Sequence, residues 1–273
     1  SNLTILNDEH LSMLKDLGVK SVLTSLMAFD ARIHDALNGT PGSFDATCAG
    51  IRRAVDGGLM VAVNMVVTKK NLSLILETGQ FVKELGVVGF CATKASKPSP
   101  CPDFTGYHLN TDDLHKMFMD LLTVRNVTGL NIDSLEHYPA CAFPDSETRS
   151  VIGERNCSAG KTGCTIGFDG LVRPCSHAQK TYGSITDGLR LSWLALEEWR
   201  SGELAPDRCK KCGEFPMRCG GGCRVEASNC NGSINGRDPY CIGGSPPKRA
   251  TRHRSTSQCI RCFRALRKSS FPS

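Results

Sequence analysis

Apolar and polar positions along the first half of the chain follow two alternating periods. Residues 60–68 (MVAVNMVVT) are a near-continuous apolar run bounded by turn residues, which predicts a parallel strand covered on both faces. Residues 20–27 (KSVLTSLM) and 87–93 (VVGFCAT) predict two further buried strands. Between these runs the period lengthens to that of a helix. Residues 44–58 predict a helix ending at a Gly pair, and residues 72–85 place Leu72, Ile75, Leu76, Val82 and Leu85 on one stripe, with Gly86 behind it. Upstream, Asn7 is placed to cap a helix that carries Leu11 and Leu14 and ends at Gly18. Downstream of a loop rich in Pro and Ser, Thr111 is placed to cap a helix with Leu114, Met117, Phe118, Leu121 and Leu122 inward.

Repeated β–α units predict a parallel sheet with right-handed crossovers. A barrel, whole or partial, and a doubly wound sheet both fit, and in either the C-terminal ends of the strands form the site. Ser25, Asn64 and Cys91 fall at or near those ends, where each also reads as a small or polar residue satisfied within the sheet. Three strands are counted before residue 95, which leaves open sheet edges, and the chain opens as though a preceding strand had just finished.

Composition narrows the class. The 273 residues are 40% hydrophobic and 22% charged, which suits a chain with a real core rather than a disordered one. No apolar run approaches the roughly 20 residues of a membrane span, and the opening SNLTILNDEH has neither the basic flank nor the apolar core of a secretory signal. The net charge of +6 is concentrated at one end. Residues 243–273 hold eight Lys or Arg and no Asp or Glu, leaving 25 basic and 27 acidic residues elsewhere, a net of −2. The body is therefore nearly neutral, the overall charge says nothing about a nucleic-acid-binding face, and the tail reads as a solvated extension, with RNA, membrane or an acidic partner as the lesser alternative.

Cysteine changes the picture most. There are 15, nine of them between Cys157 and Cys241. With no secretory signal, metal or iron–sulfur ligation is a better reading than a disulfide scaffold. The order is Cys157-x6-Cys164-x10-Cys175, with Gly170-x4-Cys175 inside it, then Cys209-x2-Cys212-x6-Cys219-x3-Cys223, then Cys230 and Cys241. Gly213, Gly220, Gly221 and Gly222 allow tight bends between them. Eight thiolates in this order point to two four-ligand sites, and spacing alone admits either Zn²⁺ or iron–sulfur cores.

The stretches CSAGKTGCTIGFDGLVRPC, CKKCGEFPMRCGGGC and DPYC together resemble the SPASM auxiliary-cluster domain of radical S-adenosylmethionine (AdoMet) enzymes. One departure is six residues rather than five between Cys212 and Cys219. The first half is similar to the middle of the same family's barrel, particularly at His34, Asp35, Gly39, Gly42, Ser43 and Phe44. The resemblance runs over residues 1–242 and implies an α/β fold. The second half of a partial (β/α)6 TIM-like barrel would occupy residues 1–145. A Cys-rich SPASM domain with little regular structure would occupy 146–242, and a disordered basic tail 243–273.

It also implies two auxiliary 4Fe–4S clusters, the first held by Cys157, Cys164, Cys175 and Cys223 and the second by Cys209, Cys212, Cys219 and Cys241. Cys230 is the competitor of Cys241. Cys48, Cys91, Cys101 and Cys141 read as core or loop thiols, and Cys259 with Cys262 as a fortuitous pair. By analogy Ser25 and Asn64 lie near the AdoMet carboxylate or ribose; no catalytic residue is assigned. The family's CxxxCxxC, which holds a third 4Fe–4S cluster and AdoMet, does not occur in these 273 residues. The resemblance places it on preceding strands, so by itself the chain is not expected to cleave AdoMet. The complete enzyme is expected to modify a peptide or protein substrate through a 5′-deoxyadenosyl radical, in a reducing cytoplasm, with a donor such as flavodoxin or ferredoxin. In the formylglycine-forming sulfatase maturases an Asp commonly follows the Cys of G-x4-C. Here Ser176 and His177 follow Cys175, which favours ribosomal-peptide or cofactor-precursor maturases. His177 reads as a solvent-exposed loop residue before it reads as a proton carrier. The alternatives are a formylglycine-generating enzyme and a non-catalytic module that binds iron–sulfur or zinc.

Overall fold

The computed structural model describes residues 1–98, 103–143, 145–152 and 156–242. The basic tail with Cys259 and Cys262, and Cys101 in the Pro-rich loop, lie outside the described residues. The chain divides into two compact units, one containing residues 1–95 and 106–135, the other 96–105 and 136–242.

The first unit is a parallel α/β sheet. In chain order it contains α1 (Asp8–Asp16), β1 (Ser21–Ser25), α2 (Ala31–Asn38), α3 (Ser43–Asp56), β2 (Met60–Val67), α4 (Ile75–Glu84), β3 (Gly89–Lys94), α5 (Thr111–Thr128) and β4 (Asn131–Asp133). The strands lie in the order β1-β2-β3-β4, all parallel. Alternation along each strand sorts the side chains. Val61, Val63, Met65 and Val67 of β2 and Phe90 and Ala92 of β3 are fully buried on one face, and α3 packs on β2 while α5 packs on β3 and β4. Burying that row is the main stabilisation of the unit. Gly79 permits the close approach of α4 and α5, since a Cβ there would lie 2.6 Å from Val124.

The three predicted strands and four predicted helices are present with shifted ends. Residues 72–85 begin as a 3-10 turn (Leu72–Leu74) before α4. The cap of α5 is Asn110, not Thr111: its side chain accepts from Asp113 N, and the Asp113 carboxylate accepts from Asn110 N in return. Two elements were not predicted, α2 and β4. The segment α2 is announced only by the Asp30 cap and by Gly39 in the left-handed region.

The His34–Asp35 pair explains its own stretch of sequence. Gly42 supplies no capping side chain for α3. Asp35 does so from the preceding helix, accepting from Gly42 N (2.6 Å), Phe44 N (2.8 Å) and Ser43 Oγ (2.9 Å). His34 is fully buried and its Nδ1 accepts from Met27 N at 3.1 Å. Its Nε2 lies 2.7 Å from the side-chain amide nitrogen of Asn38. Burial holds the His34 pKa below its ordinary value, against the opposing pull of Asp35. The folded state thus prefers the neutral ring. The stabilisation is complete above the unfolded pKa of about 6.5 and is lost as pH falls through the lower folded value. Urea unfolding is expected to show a falling midpoint from about pH 7.5 to about pH 5, with a shallower fall in His34→Gln. Equal slopes would remove His34 as the cause.

Candidate metal centres

In the second unit, a two-stranded hairpin and a series of short helices bring distant cysteines together. Strands β5 (Thr165–Ile166) and β6 (Val172–Arg173) pair antiparallel. Asp169 closes the turn, accepting from Leu171 N and from both terminal nitrogens of Arg173 at 3.0 and 2.7 Å, and Gly170 takes the left-handed conformation there. Cys164 stands immediately before β5 and Cys175 just after β6, so the hairpin sets them side by side. A second turn lies between Cys157 and Cys164, where Lys161, Thr162 and Gly163 all donate to Ser158 O. Gly160 ties this turn to the end of β6 by donating to Pro174 O at 3.2 Å. Gly160 must be glycine: its φ is +62° and a Cβ would meet that of Trp199 at 2.5 Å.

Beyond the hairpin come α6 (Ser146–Ile152, on its amino-terminal side), α7 (Leu189–Ala195), α8 (Glu197–Ser201), α9 (Asp207–Lys210) and α10 (Arg224–Asn231). Ala159, Val172, Ala178, Leu196, Trp199, Leu204 and Val225 form an apolar cluster, and Cys157, Cys164, Cys175 and Cys223 all pack against it. Burial pushes the Cys175 thiol up; the backbone N–H groups of His177 and Ala178 pull it down, and Cys157 pushes it further up. Cys223 caps α10, its sulfur accepting from Glu226 N at 3.4 Å. A helix N-terminus favours the thiolate.

The other four cysteines gather separately. Cys209 lies in α9. Cys212 N donates to Cys209 O and Cys219 N to Glu214 O, so the chain doubles back and returns Cys219 toward Cys209. Cys241 N donates to Asp238 O. Burial pushes the Cys209 thiol up, and the charges of Cys241, Cys219 and Cys212 push it further, with Arg224 opposing. Thiolates whose charges act on a neighbouring buried thiol suit a cationic core, which offsets that repulsion. No disulfide joins two of the described cysteines.

Two positions depart from a simple reading. Cys141, read from sequence as a core or loop thiol, has its sulfur 3.1 Å from that of Cys241. Nothing in its neighbourhood HYPACAF signals this. Cys230 lies in α10 with its sulfur 3.8 Å from Glu226 Oε1. His177 is exposed. Cys48 and Cys91 are buried in the first unit, and burial pushes the Cys48 thiol up to about 11.

Ser25 and Asn64 are register partners in the first unit, and the same row continues through Cys91 to Asp133. All four therefore share the sheet face opposite the fully apolar row. Asn64 Oδ1 accepts from Thr93 Oγ1 at 2.7 Å. Asp133, missed in the sequence because β4 is only three residues long, completes this polar row.

No family model matches the chain. The chain is 25% identical to an AdoMet-dependent heme synthase of Nitratidesulfovibrio vulgaris over 269 residues, covering 92% of this chain and 71% of the relative. It is 28% identical to the antilisterial bacteriocin subtilosin biosynthesis protein AlbA of Bacillus subtilis, covering 85% of this chain and 51% of AlbA. Among solved structures, Streptococcus suis SuiB bound to precursor peptide SuiA superposes with a TM-score of 0.66 at 20% identity, covering 89% of this chain and 58% of SuiB. No helix among the described residues is long and apolar enough to cross a membrane. Along nine-tenths of its length the chain is therefore similar in sequence to AdoMet-dependent heme synthase and AlbA, homologues of the radical AdoMet/SPASM type, and it shares the fold of SuiB.

Proposed function

We propose that this chain is the auxiliary-cluster portion, with part of the barrel, of a radical AdoMet oxidoreductase that modifies a peptide or protein. The observation that supports the reading is that Cys157, Cys164, Cys175 and Cys223 pack against one apolar cluster while the charges of Cys212, Cys219 and Cys241 act on Cys209, with no disulfide between two described cysteines. Cys157, Cys164, Cys175 and Cys223 would hold one 4Fe–4S cluster, and Cys209, Cys212, Cys219 and Cys241 the other. When bound, such clusters supply one-electron transfer, or an anchor for substrate if an iron is left open. Eight thiolates for eight iron positions favour electron transfer.

The chain's own residues would do the rest. The apolar cluster around Trp199 keeps water from the first group, and the Cys223 cap orients its fourth thiolate. In the half-barrel, Ser25 at the end of β1 and Asn64 beside it in register on β2 would offer a hydroxyl and an amide to the carboxylate or ribose of AdoMet. A peptide substrate is supported by the likeness to AlbA and to the peptide-bound SuiB. A flavodoxin- or ferredoxin-type donor suits one-electron entry through thiolate-held clusters. A second reading, haem-forming chemistry, is favoured by the heme synthase likeness along 92% of the chain.

The test is anaerobic reconstitution with ferrous iron and sulfide. The expected result is a brown protein with about eight irons and eight acid-labile sulfides per chain. A colourless protein that takes up two zinc ions in preference would replace the redox reading with a structural one. Binding of candidate precursor peptides, against that of a porphyrin, separates the two substrate classes.

A further inference from the structure

Arg224 follows Cys223 directly and is buried, with 7% of its surface exposed. A buried cation is costly unless its donors are satisfied. Those of Arg224 are satisfied almost entirely by main chain. Nη1 donates to Leu204 O (3.2 Å), Ile234 O (3.0 Å) and Gly236 O (2.8 Å), Nη2 to Gly221 O, and Nε to Gly222 O at 3.5 Å. These carbonyls belong to three separate segments. Leu204 leads into the α9 segment carrying Cys209 and Cys212. Gly221 and Gly222 lie between Cys219 and Cys223. Ile234 and Gly236 lead to Asp238 and Cys241. Five carbonyls converge on one guanidinium, a planar fork that lysine cannot reproduce.

Bonded to carbonyls rather than paired in a short salt bridge, the guanidinium leaves its charge directed at its surroundings. Burial disfavours that charge, and Asp238, Cys223, Cys209 and Cys219 favour it, so sulfurs of both groups lie within its field. Asp238 is itself fixed, accepting from Cys223 N at 2.6 Å and from Tyr240 N at 2.9 Å.

We infer that Arg224 is a positioning residue shared by both cysteine groups: it locks the three backbone segments that project their thiols, and holds one permanent positive charge beside the two sites. The inference rests on the proposed two-cluster reading. A fixed cation favours the reduced, more negative state of a cluster, so its loss lowers both reduction potentials.

The test is an EPR-monitored redox titration of the anaerobically reconstituted chain and its variants, with iron counted in each. Wild type must first load about eight irons; failure there overturns the cluster reading and this inference with it. In Arg224→Gln, both clusters are expected to shift to lower potential, each reduction equilibrium by tenfold or more, about 59 mV for one electron. Arg224→Lys, which keeps the charge, is expected to recover most of the shift while losing iron on dilution faster than wild type. Full loading with unmoved potentials in Arg224→Gln would overturn the inference, as would a shift confined to one cluster. Should Arg224→Gln not fold, Asp238→Asn, which removes the opposing charge, is expected to raise both potentials. Unmoved potentials in that variant would be equally decisive against it.

Discussion

Cys219→Ala is expected to lower the iron content of the reconstituted chain from about eight to about four per chain, and Cys48→Ala to leave it unchanged. The two residues are both buried, so burial does not distinguish them. Their surroundings do. Cys48 sits on α3 in the apolar interior of the first unit, where its thiol is pushed up to about 11 and has no thiolate neighbour acting on it. Cys219 is one of the three sulfurs whose charge acts on Cys209. Its loss removes a corner of one tetrad and leaves the thiols packed around Trp199 in place. The surviving EPR signal should therefore be that of a single cluster. Cys241→Ala provides a finer check. The Cys141 sulfur is 3.1 Å from the one removed, so this variant should retain more iron than Cys219→Ala, and Cys141→Ala/Cys241→Ala should match it. Parallel iron losses in the Cys219 and Cys48 variants would undo the assignment of ligands.

Gly222→Ala is expected to be the most damaging single methyl group in the second unit. Gly222 has φ +87°, a conformation that costs an L-residue roughly 1–2 kcal/mol. Its new Cβ would lie 2.5 Å from Asp238 Cβ and 2.6 Å from a carboxylate oxygen. Relieving that overlap costs a further ~1–3 kcal/mol and moves the carboxylate that accepts from Cys223 N. Cys223 belongs to one proposed tetrad, and the loop from Asp238 carries Cys241 of the other. Iron should fall by more than one cluster's worth, with a lower unfolding temperature. Gly213→Ala, where a Cβ meets open space, should behave as wild type. If Gly222→Ala also loads fully, the Asp238 contact has no part in assembly.

What could be read in advance followed the physics of each element. Apolar runs such as 60–68 and 87–93 declare buried parallel strands, because a strand covered on both faces keeps few exposed polar positions. The three residues of β4 are too few for any period, and α2 shows eight residues with one fully buried side chain, His34. Asn110 competed with Thr111 as cap, and the one with the reciprocal Asp113 bond prevailed. In the second unit the order of cysteines and glycines points to metal chemistry, but which sulfurs meet depends on the hairpin and on turns held by hydrogen bonds far apart in sequence. The grouping came from a resemblance, and no local pattern reveals the nearness of Cys141 to Cys241. Arg224 reads as an ordinary residue beside a cysteine until the five carbonyls around it are seen.

The crowding of sulfurs has a consequence for how the protein is filled. Cys175 and Cys209 hold their hydrogens more tightly than a free thiol does. In the proposed two-cluster reading iron would enter as those hydrogens leave, so filling the sites would discharge acid into the surrounding water and be opposed by an acidic medium.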